Sequence, residues 1–210
     1  ERSRLACYCN KDGRILSLLY LKAHPQGYLL IMPKDILELT LTKLSQFAMF
    51  SKVDISQQKL IVYCDESINQ LKTCETEQAF ETLLKSKKNL RGGVAWHYQQ
   101  LLNHNPSIYP SSSASFLPHR LELHKNETLD FEKGCYIGQE IIARMHYKSK
   151  PKHTLVCFLS DTTYRPNDKI TSDQQTLGDV IDSCVALRGK TLVFASVLNK
   201  NMAHFNNIHL

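Results

Sequence analysis

Hydrophobic and polar positions in the first third of the chain predict a β-meander followed by a helix. The segments LACYC and RILSLLYLKA flank the turn sequence Asn10-Lys11-Asp12-Gly13, which is typical of a β-hairpin, and YLLIM follows Pro25-Gln26-Gly27. Beyond Pro33 the apolar positions recur at helical spacing, so we expect a helix over residues 35–50. The apolar positions of that helix are Ile36, Leu37, Leu41, Leu44, Phe47 and Ala48.

The middle of the chain is less regular. Residues 53–64 predict either a strand pair or one strand with a loop, and residues 76–88 predict a helix capped by Thr76. A short helix is expected over residues 94–104. The proline- and serine-rich stretch at 105–118 predicts a long loop. Its serines by themselves suggest a flexible linker, although a loop of this length in a compact protein is usually functional or disordered.

The pattern changes after Pro151. Short alternating segments separated by turn residues, such as Arg165-Pro166-Asn167-Asp168, predict a small all-β module, a barrel or a sandwich. The predicted fold class is therefore α+β. We expect α+β lobes over residues 1–150, ending in a loop and helix, and the small C-terminal β-module over residues 151–210.

Composition narrows the possible function classes. The 210 residues carry a net charge of +6, which permits a polyanionic partner without requiring one. No apolar run reaches about 18 residues, so no membrane span is predicted. The seven cysteines form no CxxC pair, which predicts free thiols in a reducing, cytosolic type of compartment. Cys7 and Cys9 are expected to share one face of a strand as small hydrophobic residues.

Residues 133–150, KGCYIGQEIIARMHYKSK, carry the most specific chemistry. Gly134 and Gly138 flank a cysteine, Cys135, just before a predicted helix. A helix N-terminus and a nearby Lys133 both favour a thiolate. From the residues alone, Cys135 is either a reactive or ligand-binding thiol or a small residue packed in a tight loop.

Other side chains leave alternatives open as well. Trp96, the single tryptophan, is either a core anchor or a plane on which a heterocycle stacks. The basic residues after the cysteine form either a solvated face or part of an anion-binding site; they are Arg144, Lys148, Lys150 and Lys152. A catalytic cysteine needs a base, and the sequence does not place any of the candidate histidines beside it. These candidates are His97, His104, His119, His124, His146 and His153.

The run KGCYIGQE is similar to the K-G-C-[YF]-x-G-Q-E signature of the YgfZ family, whose members are folate-binding proteins that look like the aminomethyltransferase of the glycine cleavage system. Phe131 before the run and Ala143-Arg144 after it agree with the family. LACYCNKDGRILSLL, FAMFSKVDI and the C-terminal LGDVIDSC segment resemble other family segments. Three features depart from the family. The family's first folate-site tryptophan and its Gln-Gly-x-x-Thr-x-Asp motif are not in this sequence, the stretch between Val53 and Trp96 is much shorter than usual, and Glu122 stands where members commonly have Asn.

The resemblance implies a multi-lobed aminomethyltransferase-like cloverleaf, with a small C-terminal β-barrel, around a tetrahydrofolate site. It implies a cytoplasmic protein that supports iron–sulfur enzymes, such as radical tRNA-thiolating enzymes, with an indirect link to tRNA. Cys135 would be the functional thiol, acting as a cluster ligand, a redox group or an acceptor of a one-carbon unit. The expected folate-binding residues are Trp96, Lys133, Gly134, Tyr136, Gln139, Glu140 and Arg144. No resident metal site is expected.

Three other functions remain open at this stage. A true aminomethyltransferase would transfer a one-carbon unit, but it needs a carboxylate at the reacting centre, and the sequence identifies none. A basic RNA-binding module without a cofactor has weak support from Tyr136, Tyr147 and Lys148. A thiol hydrolase lacks a placed base. The folate-binding hypothesis predicts no catalytic turnover of the protein's own.

Overall fold

A computed structural model describes residues 3–65, 70–74, 76–86, 93–126, 128–172, 175–186 and 189–205. These ranges contain nine strands, four α-helices and two 3-10 helices, at Pro118–Leu121 and Asn199–Phe205. The strands are β1 Arg4–Cys9, β2 Ile15–His24, β3 Gly27–Ile31, β4 Ile61–Asp65, β5 Gln70–Cys74, β6 His153–Ser160, β7 Lys169–Ser172, β8 Gln175–Val185 and β9 Thr191–Leu198. The α-helices are α1 Lys34–Ser51, α2 Glu77–Ser86, α3 Gly93–Leu102 and α4 Gln139–Lys148.

The predicted meander is confirmed as an antiparallel sheet in the order β1-β2-β3. Asn10 closes the first turn, because its side-chain Oδ1 accepts hydrogen bonds from the backbone N–H groups of Asp12, at 3.0 Å, and Arg14, at 2.9 Å. Side chains alternate between the two faces of a strand, so the register decides which positions reach the core. Fully buried Ile15 and nearly buried Leu18 of β2 both do so despite their odd spacing, because the register shifts opposite Tyr8 and Cys9.

The helices predicted over residues 35–50, 76–88 and 94–104 are present as α1, α2 and α3, and the strand predicted within 53–64 is present as β4. Thr76 caps α2 as expected, since its Oγ1 accepts a hydrogen bond from the N–H of Ala79 at 3.2 Å. The predicted helix end at 87–88 lies outside the described residues. Of the two readings of 53–64, a strand with a loop is nearer, because β4 pairs with the later strand β5.

The serine-rich loop, residues 105–117, is packed and is not a free linker. Ile108 and Ser112 are fully buried, and Phe116 is almost so. The loop also extends the meander, because Ile15 donates to the carbonyl of Phe116 at 2.9 Å and Ala114 donates to the carbonyl of Ile15 at 2.7 Å. The linker expectation is wrong because buried side chains and these backbone hydrogen bonds hold the loop against β2.

The C-terminal strands form an antiparallel sheet in the order β6-β9-β8-β7. Within the described ranges the edge strands β6 and β7 do not pair with each other, so the observed sheet is open rather than a closed barrel. The central strand β9 is buried on both faces. Leu192 and Phe194 point to one hydrophobic cluster, and Val193 and Ala195 point to the other, with the period of two that strand geometry requires.

The first of these clusters also contains residues from the N-terminal part, including Leu101 of α3 and Ile142 of α4. A buried carboxylate adds a polar link: Asp182 of β8 lies 2.9 Å from His97 Nε2 and accepts a hydrogen bond from the N–H of Ser107 at 2.7 Å. The two predicted parts therefore share a core, and their boundary at residue 150 remains a prediction. Within the described ranges, no helix combines the length and apolarity needed to cross a bilayer.

Candidate functional site

The signature loop, residues 131–138, is braced at both ends by hydrogen bonds. At its start Asp130 Oδ1 accepts from the backbone N–H groups of Glu132, at 2.9 Å, and Lys133, at 3.1 Å. At its end Gln139 Oε1 accepts from the N–H of Tyr136 at 3.4 Å. The side chain of Gln139 therefore folds back onto the loop, which gives this signature residue a local structural role.

Two glycines bring the loop against the first hairpin. Gly138, the N-cap of α4, has φ 82°, and a Cβ placed there would lie 2.5 Å from the carbonyl oxygen of Asn10 and 2.8 Å from Gly13 Cα. Gly13 has φ 69° itself. Only glycine tolerates both the positive φ and this approach. The hairpin turn thus fixes the position at which α4 begins.

The thiol of Cys135 is exposed at the surface of this loop. It precedes α4 as predicted and is not enclosed in aliphatic packing. Lys133 was expected to act on this thiol, but its Nζ lies 4.5 Å above the ring of Tyr136 in a cation–π contact. The exposed setting leaves Cys135 accessible to a ligand or a partner.

Under the loop lie the paired cysteines of β1. The Sγ atoms of Cys7 and Cys9 are 3.3 Å apart, which confirms that they share a face. Hydrogen bonding to Cys9 and burial raise the pKa of Cys7 well above its usual value. Burial, followed by the charges of Cys9, Cys7 and Asp130, raises the pKa of Tyr136. Tyr136 therefore stands over the cysteine pair as a neutral phenol.

Trp96 reaches the same face of the sheet from α3. Its ring is half-buried, with its centroid 6.5 Å from that of Tyr20. Tyr20 pairs with Leu5, and Leu18 pairs with Cys7, so these positions face the same way and lie about 7 Å apart along β2. Trp96 therefore contacts the core-facing side of this sheet at Tyr20, and Tyr136 packs against the same cluster near Cys7 and Cys9.

Within the part of the chain that the structure describes, the other predicted site residues make no contact that defines a role in binding. Gly134 is exposed, and a Cβ added to it meets no atom within 4 Å, so sterics alone do not demand glycine there. Glu140 and Arg144 are exposed on α4. Their assignment to folate binding stays a prediction, as does that of Lys133.

The candidate bases do not assemble a cysteine-hydrolase site. Among the described residues, no hydrogen bond joins Cys135 to a histidine. His97 is engaged with Asp182, and the ring of His104 lies 5.4 Å from that of Phe194. His153 lies on β6, where burial, followed by the charge of Arg120, lowers its pKa.

Sequence reasoning missed an imidazole cluster formed by His119, His124 and His146, because it treated these residues only as separate candidate bases. Burial, followed by the charges of His124 and His146, lowers the pKa of His119 to about 4. The pattern H-x4-H before the signature was the available signal. Glu122, between the first two histidines, adopts φ 53°, a left-handed position that Asn tolerates better than Glu.

Comparison with known proteins agrees with the signature. A protein named tRNA-modifying protein YgfZ from Vibrio atlanticus (strain LGP32) is 28% identical over 185 residues, which cover 74% of this chain and 57% of that protein. Its namesake from Buchnera aphidicola subsp. Baizongia pistaciae is 26% identical over 189 residues, covering 72% and 59%. The one from Aliivibrio fischeri (strain MJ11) is 25% identical over 222 residues, covering 90% and 67%.

No protein-family model matches the chain. The chain spans less than two thirds of the length of the first of these relatives. The similarity nevertheless extends over most of the chain and recurs in several relatives of the same name, and the KGCYIGQE signature is intact. The chain is therefore similar over most of its length to the proteins named YgfZ.

Proposed function

We propose that this chain binds tetrahydrofolate and supports tRNA modification by helping to maintain iron–sulfur enzymes. The relatives are named as tRNA-modifying proteins, and that name motivates the tRNA part of the proposal. The family resemblance motivates the folate, the iron–sulfur enzymes, the cytoplasmic location and the cloverleaf arrangement with its barrel. The protein acts in this proposal as a folate-dependent accessory factor rather than as an enzyme with its own turnover.

One observation supports the folate site best: Trp96 contacts the core-facing side of the sheet at Tyr20, and Tyr136 packs against the same cluster, with the exposed Cys135 next to it. A half-buried indole offers a plane on which a pteridine stacks. Lys133 lies over the ring of Tyr136 and Arg144 is exposed on α4, and both cations suit the carboxylates of a folate tail. The thiol then stands close enough to a bound one-carbon carrier, or to a docked partner, to take part.

Titration with tetrahydrofolate, followed by tryptophan fluorescence, tests the folate site. Trp96 is the only tryptophan, so quenching reports on this residue alone. We expect saturable quenching, and in calorimetry we expect Trp96→Ala to weaken binding at least about tenfold because a stacked ring is lost. Phe50→Ala, which alters an exposed ring on α1, serves as the control. Folate that leaves the fluorescence unchanged and releases no heat contradicts the site.

Complementation tests the role of the thiol. Cells that lack the protein would receive the wild type, Cys135→Ser, Cys135→Ala or the control Cys157→Ala, and thiolated tRNA nucleosides would be measured by mass spectrometry. Burial raises the pKa of Cys157 to about 11, so its thiol is a poor nucleophile and suits the control. We expect both Cys135 variants to fail and the control to succeed. Full rescue by Cys135→Ser would remove the thiol from the mechanism.

A second candidate, RNA binding without a cofactor, is favoured by the surface of α4. Arg144 and Lys148 are exposed one turn apart, and the ring of Tyr147 is 66% exposed beside them. Such a surface suits a phosphate backbone with an unstacked base. Salt-dependent binding of tRNA that is lost in Arg144→Gln/Lys148→Gln, together with no folate binding, would favour this candidate over the first.

A further inference from the structure

The imidazole cluster lies beside the signature loop and has no part in the function proposed above. His119 belongs to the 3-10 helix Pro118–Leu121, His124 to the turn that follows, and His146 to α4. The ring centroids are 5.0 Å apart for His119 and His124, 6.0 Å for His119 and His146, and 6.2 Å for His124 and His146. Segments separated by more than 20 residues thus place three imidazoles at the corners of one triangle.

Several nitrogens of this cluster lack partners. Both ring nitrogens of His119, and Nδ1 of His124, are buried and make no hydrogen bond within the part of the chain that the structure describes. A neutral imidazole carries one donor and one acceptor nitrogen. Leaving such groups unpaired in a buried place costs free energy, so a further group that binds these nitrogens would be favoured.

The size of the triangle matches three imidazoles around one ion. A zinc–nitrogen bond of about 2.0–2.1 Å places each ring centroid roughly 3.2 Å from the metal. Tetrahedral angles then separate the centroids by about 5.2 Å, and trigonal angles by about 5.5 Å. The observed separations of 5.0–6.2 Å differ from these values by about 1 Å or less.

The backbone that carries the histidines is firmly packed. Leu121 and Leu123 are buried in the main cluster, and the N–H of Leu123 donates to the carbonyl of Pro118 at 3.1 Å. The ring of His146 stacks on Phe131, with centroids 3.9 Å apart. Rotation of the rings toward a common ion would use side-chain torsions, and His146 would leave its stack on Phe131.

We infer that His119, His124 and His146 bind a single divalent transition-metal ion, with Zn²⁺ as the best match. Among the residues that the structure describes, no three histidine, cysteine or carboxylate side chains already converge as a metal site. His119 and His124 are instead stacked, with 27° between their planes, so binding exchanges a ring stack for coordination. Imidazole ligands suit Zn²⁺, and three of them leave the fourth position to water. This inference is independent of folate binding.

Titration of the chelator-treated protein with Co²⁺, followed by competition with Zn²⁺, tests the site. We expect one Co²⁺ per chain, visible d–d absorption and displacement by Zn²⁺. His119→Ala and His146→Ala should each weaken Co²⁺ binding at least about tenfold, because each removes a ligand. His204→Ala, which alters an exposed histidine on the last 3-10 helix, should leave the affinity unchanged.

Two further measurements distinguish binding by these histidines from binding by thiols and from loss of the fold. Cys7→Ser/Cys9→Ser tests whether thiols bind the ion instead, and a sulfur-to-cobalt charge-transfer band that disappears in this variant would overturn the inference. His146 is exposed, so its variant remains informative if His119→Ala does not fold, as judged by circular dichroism. Absent Co²⁺ binding, or binding that His146→Ala leaves unchanged, would equally overturn it.

Discussion

The serine-rich loop and the signature loop are both irregular segments, yet they are built in opposite ways. The first buries Ile108, Ser112 and Phe116 and extends the meander through backbone hydrogen bonds. The second is pinned at Gly138 and leaves Cys135 exposed. The serine-rich loop packs between the two predicted parts of the chain. The signature loop exposes a thiol and is held in place by neighbouring elements. An irregular segment can therefore be a packed part of the core or an exposed functional loop, and the burial of its side chains distinguishes the two.

The largest effect is expected from emptying the packed loop. Phe116→Ala removes an almost fully buried ring, and should lower the free energy of unfolding by about 3–5 kcal/mol in urea denaturation. Phe50→Ala, at a ring that is 84% exposed, should change it by less than about 0.5 kcal/mol. Equal effects of the two variants would mean that the serine-rich loop does not belong to the core.

A smaller effect is expected where the signature loop is pinned. Gly138→Ala forces a Cβ within 2.5 Å of the carbonyl of Asn10 at φ 82°, so we expect a loss of about 2–4 kcal/mol in unfolding free energy. The matched control is Gly134→Ala in the same loop, where the added Cβ meets nothing within 4 Å. The control should change stability by less than about 0.5 kcal/mol. A reversed order would refute the proposed pinning.

The third effect depends on pH and concerns the 3-10 helix Pro118–Leu121, which follows the packed loop. Arg120 donates from Nη2 to Asp179 Oδ2 at 2.6 Å, and Lys169 pairs with the same carboxylate. Burial by itself raises the pKa of Asp179, but hydrogen bonds from Arg120 and Lys169 lower it overall. A lowered folded-state pKa means that the contribution is complete above the unfolded value and is lost as pH falls through the folded value.

We therefore expect Asp179→Asn to cost about 1 kcal/mol at pH 7, with the difference from wild type shrinking as the pH falls below about 4. Denaturation at several pH values measures this. Asp161→Asn is the control, because its carboxylate is 86% exposed and its ion pair with Lys190 is at the surface. A difference that grows toward acid would show that the sign is wrong.

The smallest effect on stability is expected at Cys135. Because the thiol is exposed, Cys135→Ala should change unfolding free energy by less than about 0.5 kcal/mol. The same variant should remove the fastest phase of native thiol modification by a disulfide reagent, whereas Cys157→Ala should not. An unchanged fast phase in Cys135→Ala would show that another thiol is the accessible one.

Local patterns predicted much of this molecule correctly. The Asn10–Gly13 hairpin, the helix that became α1 and the Thr76 cap depend on interactions between residues close in sequence, so periodicity and turn chemistry suffice to find them. The serine-rich loop was misjudged for the opposite reason. Its hydrogen bonds go to Ile15, about 100 residues away, and composition contains no trace of that partner.

The candidate site, too, was predictable from the sequence only in part. The signature itself was readable, since eight consecutive residues carry it, and so was the position of Cys135 before a helix. The orientation of Lys133 toward Tyr136 and the sharing of one sheet face by Trp96 and Tyr136 were not, because they follow from strand register and packing. The imidazole cluster was missed because its members meet only after α4 folds back onto the 3-10 helix.

The sequence by itself determined the local elements of this protein: its first hairpin, its helices, the strands that follow residue 151, and a glycine-flanked cysteine in a family signature. What only the tertiary structure decided is which surfaces face each other. The open four-stranded sheet, the packed serine-rich loop and the approach of Gly138 to Gly13 all arise from contacts between residues distant along the chain. Such contacts are selected by the burial of the whole core, and no short segment carries that information.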